Sequence, residues 1–323
     1  LAILLTGAAG FVGFHVAQAL LQRGERVVGV DNLNAYYAVE LKQARLDRLL
    51  EKPGFTFARL DIADRSAIGS LTASHPDIDR IVHLAAQAGV RHSMVDPYAY
   101  VHSNVMGHLV MLETARHLLD CRHFVYASSS SVYGSNQALP FAETDRVDTP
   151  LSLYAATKLA DELMSHAYGH LYAIPQTGLR FFTVYGPWGR PDMAYYSFAR
   201  AIVAGEPITL YDNGELRRDF TYIDDIVAGV VGCLDHPPSM PPPRILNIGN
   251  HRSELVSTLV ALLEQSLGRT AIIKNVSRPL ADVTETFAAV EKIQALTGFF
   301  PRVSLAEGIP LFAAWFRSFH GLA

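Results

Sequence analysis

Short apolar runs alternate with longer stretches of helical periodicity through the first half of the chain. Leu1 to Thr6 predicts a strand, Phe11 to Arg23 a helix ended by Gly24, and Arg26 to Asp31 a second strand. A helical pattern around Glu40 to Leu50 follows, then a strand at Phe55 to Leu60, a helix capped near Asp64 and a strand at Arg80 to Leu84. A further helix follows Pro97, a strand runs from Phe124 to Ala127, a helix starts near Ser152, and another strand lies at Gln176 to Phe181. This alternation predicts an α/β fold, a doubly wound parallel sheet of Rossmann type with helices on both faces.

The second half changes character. Prolines cluster between Pro237 and Pro243, short strands are expected at Ile208 to Tyr211 and Ile272 to Asn275, and helices at Val256 to Leu267 and Leu305 to Phe319. The expected division is a dinucleotide-binding domain over 1–180, with a return segment near 219–250, and a smaller α/β substrate lobe over 181–323.

Composition supports that reading. At roughly 150 residues per domain, 323 residues suit two domains. The charged fraction is 18% and the formal charge −4, so no basic excess exists to hold a nucleic acid, and none is expected as a partner. Leu1 to Leu21 carries no Lys, Arg, Asp or Glu and superficially resembles a membrane span or leader. Gly7, Gly10 and Gly13 interrupt it, His15 and Gln18 lie within it, and its period changes at Gly7, which predicts strand, turn and helix. No membrane partner is expected. Cys121 and Cys233 lack metal-ligand spacing and point to a reduced, cytoplasmic setting. His83, His92 and His102 lack a helical i, i+4 pair, so no metal is expected.

The chemistry begins at Gly7, Gly10, Phe11, Val12 and Gly13, where GxxGxxG follows a strand and opens a helix. Glycines there permit close approach to a pyrophosphate, and the helix N-terminus offers N–H groups and partial positive charge. Asp31 closes the second strand, where a carboxylate accepts adenosine ribose hydroxyls and repels a 2′-phosphate, which favours NAD. Asp61 and Ile62, then Leu84, Ala85, Ala86 and Gln87, then Ser128 to Ser131, and finally Phe181 to Thr183 occupy the same station after later strands. Tyr154 and Lys158 are spaced to share one helix face. A lysine cation about 4 Å from a phenol supplies roughly the 4 kcal/mol needed to make it a base near neutrality. Ser129 lies at a strand end upstream, where its hydroxyl can bridge substrate and phenolate.

With these residues in view, the chain resembles an extended short-chain dehydrogenase/reductase over nearly its whole length. The segments Asp31 to Tyr37, Leu84 to Arg91, Tyr126 to Gly134 and Arg180 to Met193 resemble those of UDP-glucuronate 4-epimerases. The resemblance implies Ser129, Tyr154 and Lys158 as the catalytic set. It implies cofactor contacts at the glycine loop, Asp31, Asn32, Asp61, Ile62, Leu84 to Gln87, Asn104, Tyr154, Lys158 and Phe181. Ser130, Thr183 and Arg190 would hold the sugar carboxylate, Arg218 the diphosphate and Asp282 the uridine ribose. Arg278 is displaced by about one position from the family's phosphate contact. The resemblance also implies a homodimer built on the helices near His102 to Leu119 and Leu153 to Tyr172.

Three other chemistries compete. A 4-epimerase of neutral UDP-sugars would not need Arg190. Decarboxylases and dehydratases that resemble this family carry an acid just before Val-Tyr-Gly, where this chain has Ser131. A non-catalytic NAD sensor would have no use for Ser129, Tyr154 and Lys158 together. Tyr36 and Tyr37 are expected beside the adenine or at the surface; Trp188 and Met193, at the substrate or in packing between the lobes.

Overall fold

The computed structural model describes residues 1–239, 243–278 and 283–322. β1 (Ala2–Thr6) leads through a glycine turn into α1 (Phe11–Gln22), followed by β2 (Arg26–Asp31), α2 (Val39–Leu50), β3 (Phe55–Arg59) and α3 (Arg65–Ser74). Then come β4 (Ile78–His83), α4 (Pro97–Tyr100), α5 (Gly107–His117), β5 (His123–Ser129), α6 (Leu153–Tyr172) and β6 (Gln176–Phe181). The C-terminal elements are β7 (Thr183–Tyr185), α7 (Ala194–Ala204), β8 (Pro207–Tyr211), β9 (Arg217–Arg218), β10 (Phe220–Tyr222), α8 (Ile223–Leu234) and β11 (Arg244–Ile248). They end with β12 (Glu254–Leu255), α9 (Val256–Leu267), β13 (Ile272–Val276), α10 (Glu291–Thr297) and α11 (Leu305–Phe319).

Among the described residues, seven parallel strands form one sheet in the order β11-β6-β5-β4-β1-β2-β3. The chain winds from β1 to β3 in one direction and from β4 to β6 in the other. A crevice therefore opens at the carboxyl ends of β1 and β4, where this kind of sheet binds ligands. β1 is buried along its whole length, which explains its unbroken apolar run. The uncharged stretch Leu1 to Leu21 is this central strand, its turn and most of α1, whose Phe14, Val16, Ala17 and Leu20 are buried. No helix among the described residues is long and apolar enough to cross a membrane.

The later half returns to the sheet as well as leaving it. β11 pairs with β6 from Arg244↔Thr177 to Ile248↔Phe181, while β7 pairs with β10, β8 with β13 and β9 with β12. The helix expected after Pro97 is broken: α4 and α5 are joined by a π turn at Val101–Met106. Such a turn carries one residue more than an α turn, and here the buried Asn104 lies within it.

Candidate active site

One cleft of about 410 Å³ runs across the ends of β1, β2, β4, β5 and β6. Its floor is the glycine turn. Gly7 has φ +74°, and a Cβ there would lie 2.8 Å from the Ala85 nitrogen. A Cβ on Gly13 would lie 2.0 Å from the Gly7 carbonyl oxygen, so the helix can start this close to the strand only with glycine. Gly10 provides no side-chain cap, and α1 presents its first backbone N–H groups where Gly10, Phe11, Val12 and Gly13 line the cleft. Asp31 stands beside them, its two oxygens accepting from the Ala9 and Leu33 backbone N–H groups at 3.1 and 2.8 Å. A cradle that any Cβ would fill, an uncapped helix start and a carboxylate at the second strand end fit a dinucleotide.

Of the residues expected to contact the cofactor, Gly7, Gly10, Phe11, Val12, Gly13, Asp31, Asn32, Ile62, Leu84, Ala85, Ala86, Gln87, Tyr154, Lys158 and Phe181 line this cleft. Asp61 and Asn104 stand one layer behind it. Asp61 accepts from Asn32 at 3.1 Å and orients that neighbour. Asn104 accepts from the Gln87 N–H at 2.8 Å, donates to the Gln87 carbonyl at 3.0 Å and donates to Thr157 at 2.9 Å. It thereby ties the loop after β4 to the helix that carries Tyr154 and Lys158.

Tyr154 and Lys158 lie in the first turns of α6, which is capped by the Ser152 hydroxyl accepting from Ala155 N–H at 3.1 Å. Lys158 is buried and donates to Asp161 at 2.8 Å. Burial alone would lower the lysine, but Asp161 and Tyr154 hold it above its ordinary value. Burial pushes the Asp161 carboxyl up to about 6, despite the lysine beside it. Ser129 ends β5, and its oxygen accepts from the Ser131 N–H at 3.2 Å. The neighbouring Ser128 donates to Glu162 at 2.6 Å, and Glu162 takes two hydrogen bonds from Arg180 at 2.9 and 2.7 Å. This buried network locks β5, α6 and β6 together behind the serine and tyrosine.

Ser130, Thr183 and Arg190 also line the cleft, on the side of the C-terminal elements. Arg190 pairs with Asp192 through Nε at 3.1 Å and Nη2 at 2.5 Å. Arg218 is not among the lining residues; its guanidinium donates to the Arg217 and Thr284 carbonyls at 2.9 and 3.3 Å. Arg278 pairs with Asp212 at 3.4 Å, and Asp282 lies outside the described residues. Tyr36, Tyr37 and Met193 line the cleft, whereas Trp188 packs against Phe14, Trp315 and Phe319 with ring centroids 5.3 to 5.5 Å away.

Two side chains escaped the sequence reading. Lys42 donates to the Asn34 backbone and side-chain oxygens at 2.7 Å each, lines the cleft near Asp31 and is pushed down to about 8 by burial. Arg45 is fully buried and donates to the carbonyls of Ala9, Trp188 and Gly189 at 2.6 to 3.1 Å. It fastens the glycine turn to the loop that carries Arg190. Both sit on α2, where spacing marks them as ordinary charged positions of an amphipathic helix.

Comparison with known proteins agrees with this geometry. Residues 3–249 match the NAD dependent epimerase/dehydratase family. A probable UDP-glucuronate 4-epimerase of Rhizobium meliloti is 44% identical over 97% of this chain and 96% of its own. UDP-glucuronate 4-epimerase 1 of Arabidopsis thaliana is 45% identical over 99% of this chain and 78% of its own. The crystal structure of a UDP-glucuronic acid 4-epimerase from Bacillus cereus, in complex with UDP-glucuronic acid and NAD, superposes with a TM-score of 0.92. It is 34% identical, covering 99% of this chain and 100% of its own.

Proposed function

The chain belongs to the NAD dependent epimerase/dehydratase family, and from that premise we propose that it is a UDP-glucuronate 4-epimerase, interconverting UDP-glucuronate and UDP-galacturonate. The observation that carries the proposal is the convergence of Ser129, Tyr154 and Lys158 with Ser130, Thr183 and Arg190 in a cleft floored by a dinucleotide turn. NAD supplies the hydride acceptor for sugar carbon 4 and the donor that returns it, with no net redox change.

Tyr154, as phenolate, takes the proton of the 4-hydroxyl, and the Lys158 cation on the next turn of α6 stabilises that charge. Ser129 bridges the substrate oxygen and the phenolate. The 4-keto sugar turns over in the cleft and the proton returns from Tyr154. A 4-keto uronic acid is a β-keto acid and loses CO₂ when its carboxylate leaves in line with the ketone π-system. Arg190, Ser130 and Thr183 hold the carboxylate out of that alignment through charge-assisted hydrogen bonds. Ser131, at the position of the acid in the related decarboxylases, offers no carboxylate for proton chemistry at carbon 5.

Incubation with UDP-glucuronate is expected to give UDP-galacturonate without UDP-pentose, and Arg190→Ala to slow epimerisation at least tenfold while releasing pentose. An Arg190→Ala enzyme that epimerises at the wild-type rate with no added pentose overturns the clamp.

We extend the proposal to a cytoplasmic homodimer. The thiols Cys121 and Cys233 are unpaired. Val101, Met106, Leu163 and Leu171 are 47 to 65% exposed on the stretch from α4 to α5 and on α6, and a second copy would cover them. A monomeric sedimentation mass excludes the dimer.

A further inference from the structure

We infer that Asp192 sets how strongly this site prefers an acidic sugar over a neutral one. The inference rests on the reading of Arg190 as the carboxylate clamp. A guanidinium binds a carboxylate best through two parallel N–H bonds. Here the Nε and Nη2 edge of Arg190 is already engaged in that manner by Asp192, at 3.1 and 2.5 Å. The same Asp192 oxygen accepts from the Tyr36 hydroxyl at 3.1 Å. Tyr36 comes from the loop after β2, on the cofactor side, and Asp192 from the loop before α7. Tyr36, Asp192 and Arg190 thus form a chain across the cleft, with the Arg190 and Asp192 side chains 22 and 27% exposed.

The protonation states of this chain are steady. Burial alone would raise the Asp192 carboxyl, but Arg190 holds it below its ordinary value. Burial, reinforced by Asp192, pushes the Tyr36 hydroxyl up to about 12. The chain is therefore cation, anion and neutral donor across the neutral range.

Asp192 occupies Arg190 much as the carboxylate of a sugar acid would. A neutral sugar enters without stranding an unpaired, partly buried cation, so it escapes the penalty that usually rejects a substrate lacking the recognised group. An acidic sugar finds the Nε and Nη2 edge of Arg190 already taken, so it displaces Asp192 or binds at Nη1 beside it, and part of the attraction of Arg190 is offset by the like charge of Asp192. Both effects lower discrimination. Replacing Asp192 by asparagine keeps an oxygen for Arg190 and Tyr36 while removing the negative charge.

The test compares kcat/KM for UDP-glucuronate with kcat/KM for UDP-glucose in wild type and Asp192→Asn. Both substrates carry the same diphosphate, so its charge cancels in the ratio. The ratio is expected to rise about tenfold in Asp192→Asn, mainly through a lower KM for UDP-glucuronate. Calorimetric affinities for the two nucleotide sugars, measured on the NAD-loaded Tyr154→Phe protein with and without Asp192→Asn, should change in the same direction without any turnover. An unchanged or lowered ratio in Asp192→Asn overturns the inference. If Arg190→Ala also leaves the ratio unchanged, the clamp itself fails, whereas a ratio that responds to Arg190→Ala alone removes only the role of Asp192.

Discussion

The two sides of the cleft are made of different material. The cofactor side is largely backbone: the glycine turn, the opening N–H groups of α1 and the ends of β1, β2 and β4 in one continuous sheet. The side proposed for the sugar consists of side chains on connections outside that sheet: Ser130 on the turn after β5, Thr183 on β7 and Arg190 on the loop before α7, with Asp192 paired to Arg190 behind the lining. A site made of backbone resists most substitutions except those that add a Cβ where none fits. A site made of side chains keeps its scaffold when one residue changes and alters its chemistry instead. Arg45 is where the two meet, because its guanidinium bonds the Ala9 carbonyl on one side and the Trp188 and Gly189 carbonyls on the other.

The widest separation of the two sides is expected from a pair of variants. Tyr154→Phe removes the proton-transferring oxygen and leaves the backbone cradle untouched; turnover should fall by about 10³-fold with NAD still bound. Gly13→Ala should have the opposite signature. A methyl 2.0 Å from the Gly7 oxygen forces the turn apart, and the purified protein should lose at least nine-tenths of its bound NAD, along with its activity. Bound NAD released by denaturation and measured by absorbance reads both. If Gly13→Ala retains NAD while Tyr154→Phe loses it, the division into backbone and side-chain halves is wrong.

The same contrast governs what could be read from the sequence. The doubly wound parallel sheet follows from alternation and period, because parallel strands buried on both faces leave unbroken apolar runs such as Ala2 to Leu5, whereas the strand order is seen only in the structure. The glycine turn is legible because backbone geometry restricts the residue type, and Asp31 because a carboxylate at the second strand end suits ribose hydroxyls. Ser130, Thr183 and Arg190 became visible through family resemblance, since spacing alone does not bring three loops together. Arg45 left no signal of either kind, and Asp192 lies in a segment that carries the resemblance without any role being implied for it: an aspartate two residues from an arginine and an arginine on an amphipathic helix look like surface charge. Asn104, a cofactor contact by the resemblance, stands behind the cleft lining and holds Gln87, through a π turn that apolar periodicity does not reveal.

Acidification offers the gentlest way to separate the two sides. Burial pushes His83 down to about 3 and His123 to about 4, and drives His108 well below its ordinary value. His83 sits beneath the cofactor side, with Nδ1 2.7 Å from the Thr6 hydroxyl; His123 starts β5 and His108 lies on α5. In the unfolded chain each would titrate near 6.5, so it takes up a proton there before the folded protein does. Their contribution is complete above about pH 6.5 and is lost as the pH falls toward 4, at up to about 1.4 kcal/mol per pH unit for each histidine. The Arg190–Asp192 pair should not change over this range, because its carboxyl is held below the ordinary value. Burial also lowers His15 to about 4 and raises Asp161 and Asp219 to about 6, the two carboxyls opposing the histidines over this range. Four rings outweigh two carboxyls, so melting temperatures should fall from pH 7 to pH 5, and His123→Gln, distant from the cleft, should flatten the slope. A slope that His123→Gln leaves unchanged would mean that this ring is not held neutral at the start of β5. Acid would then no longer distinguish the scaffold from the Arg190–Asp192 pair.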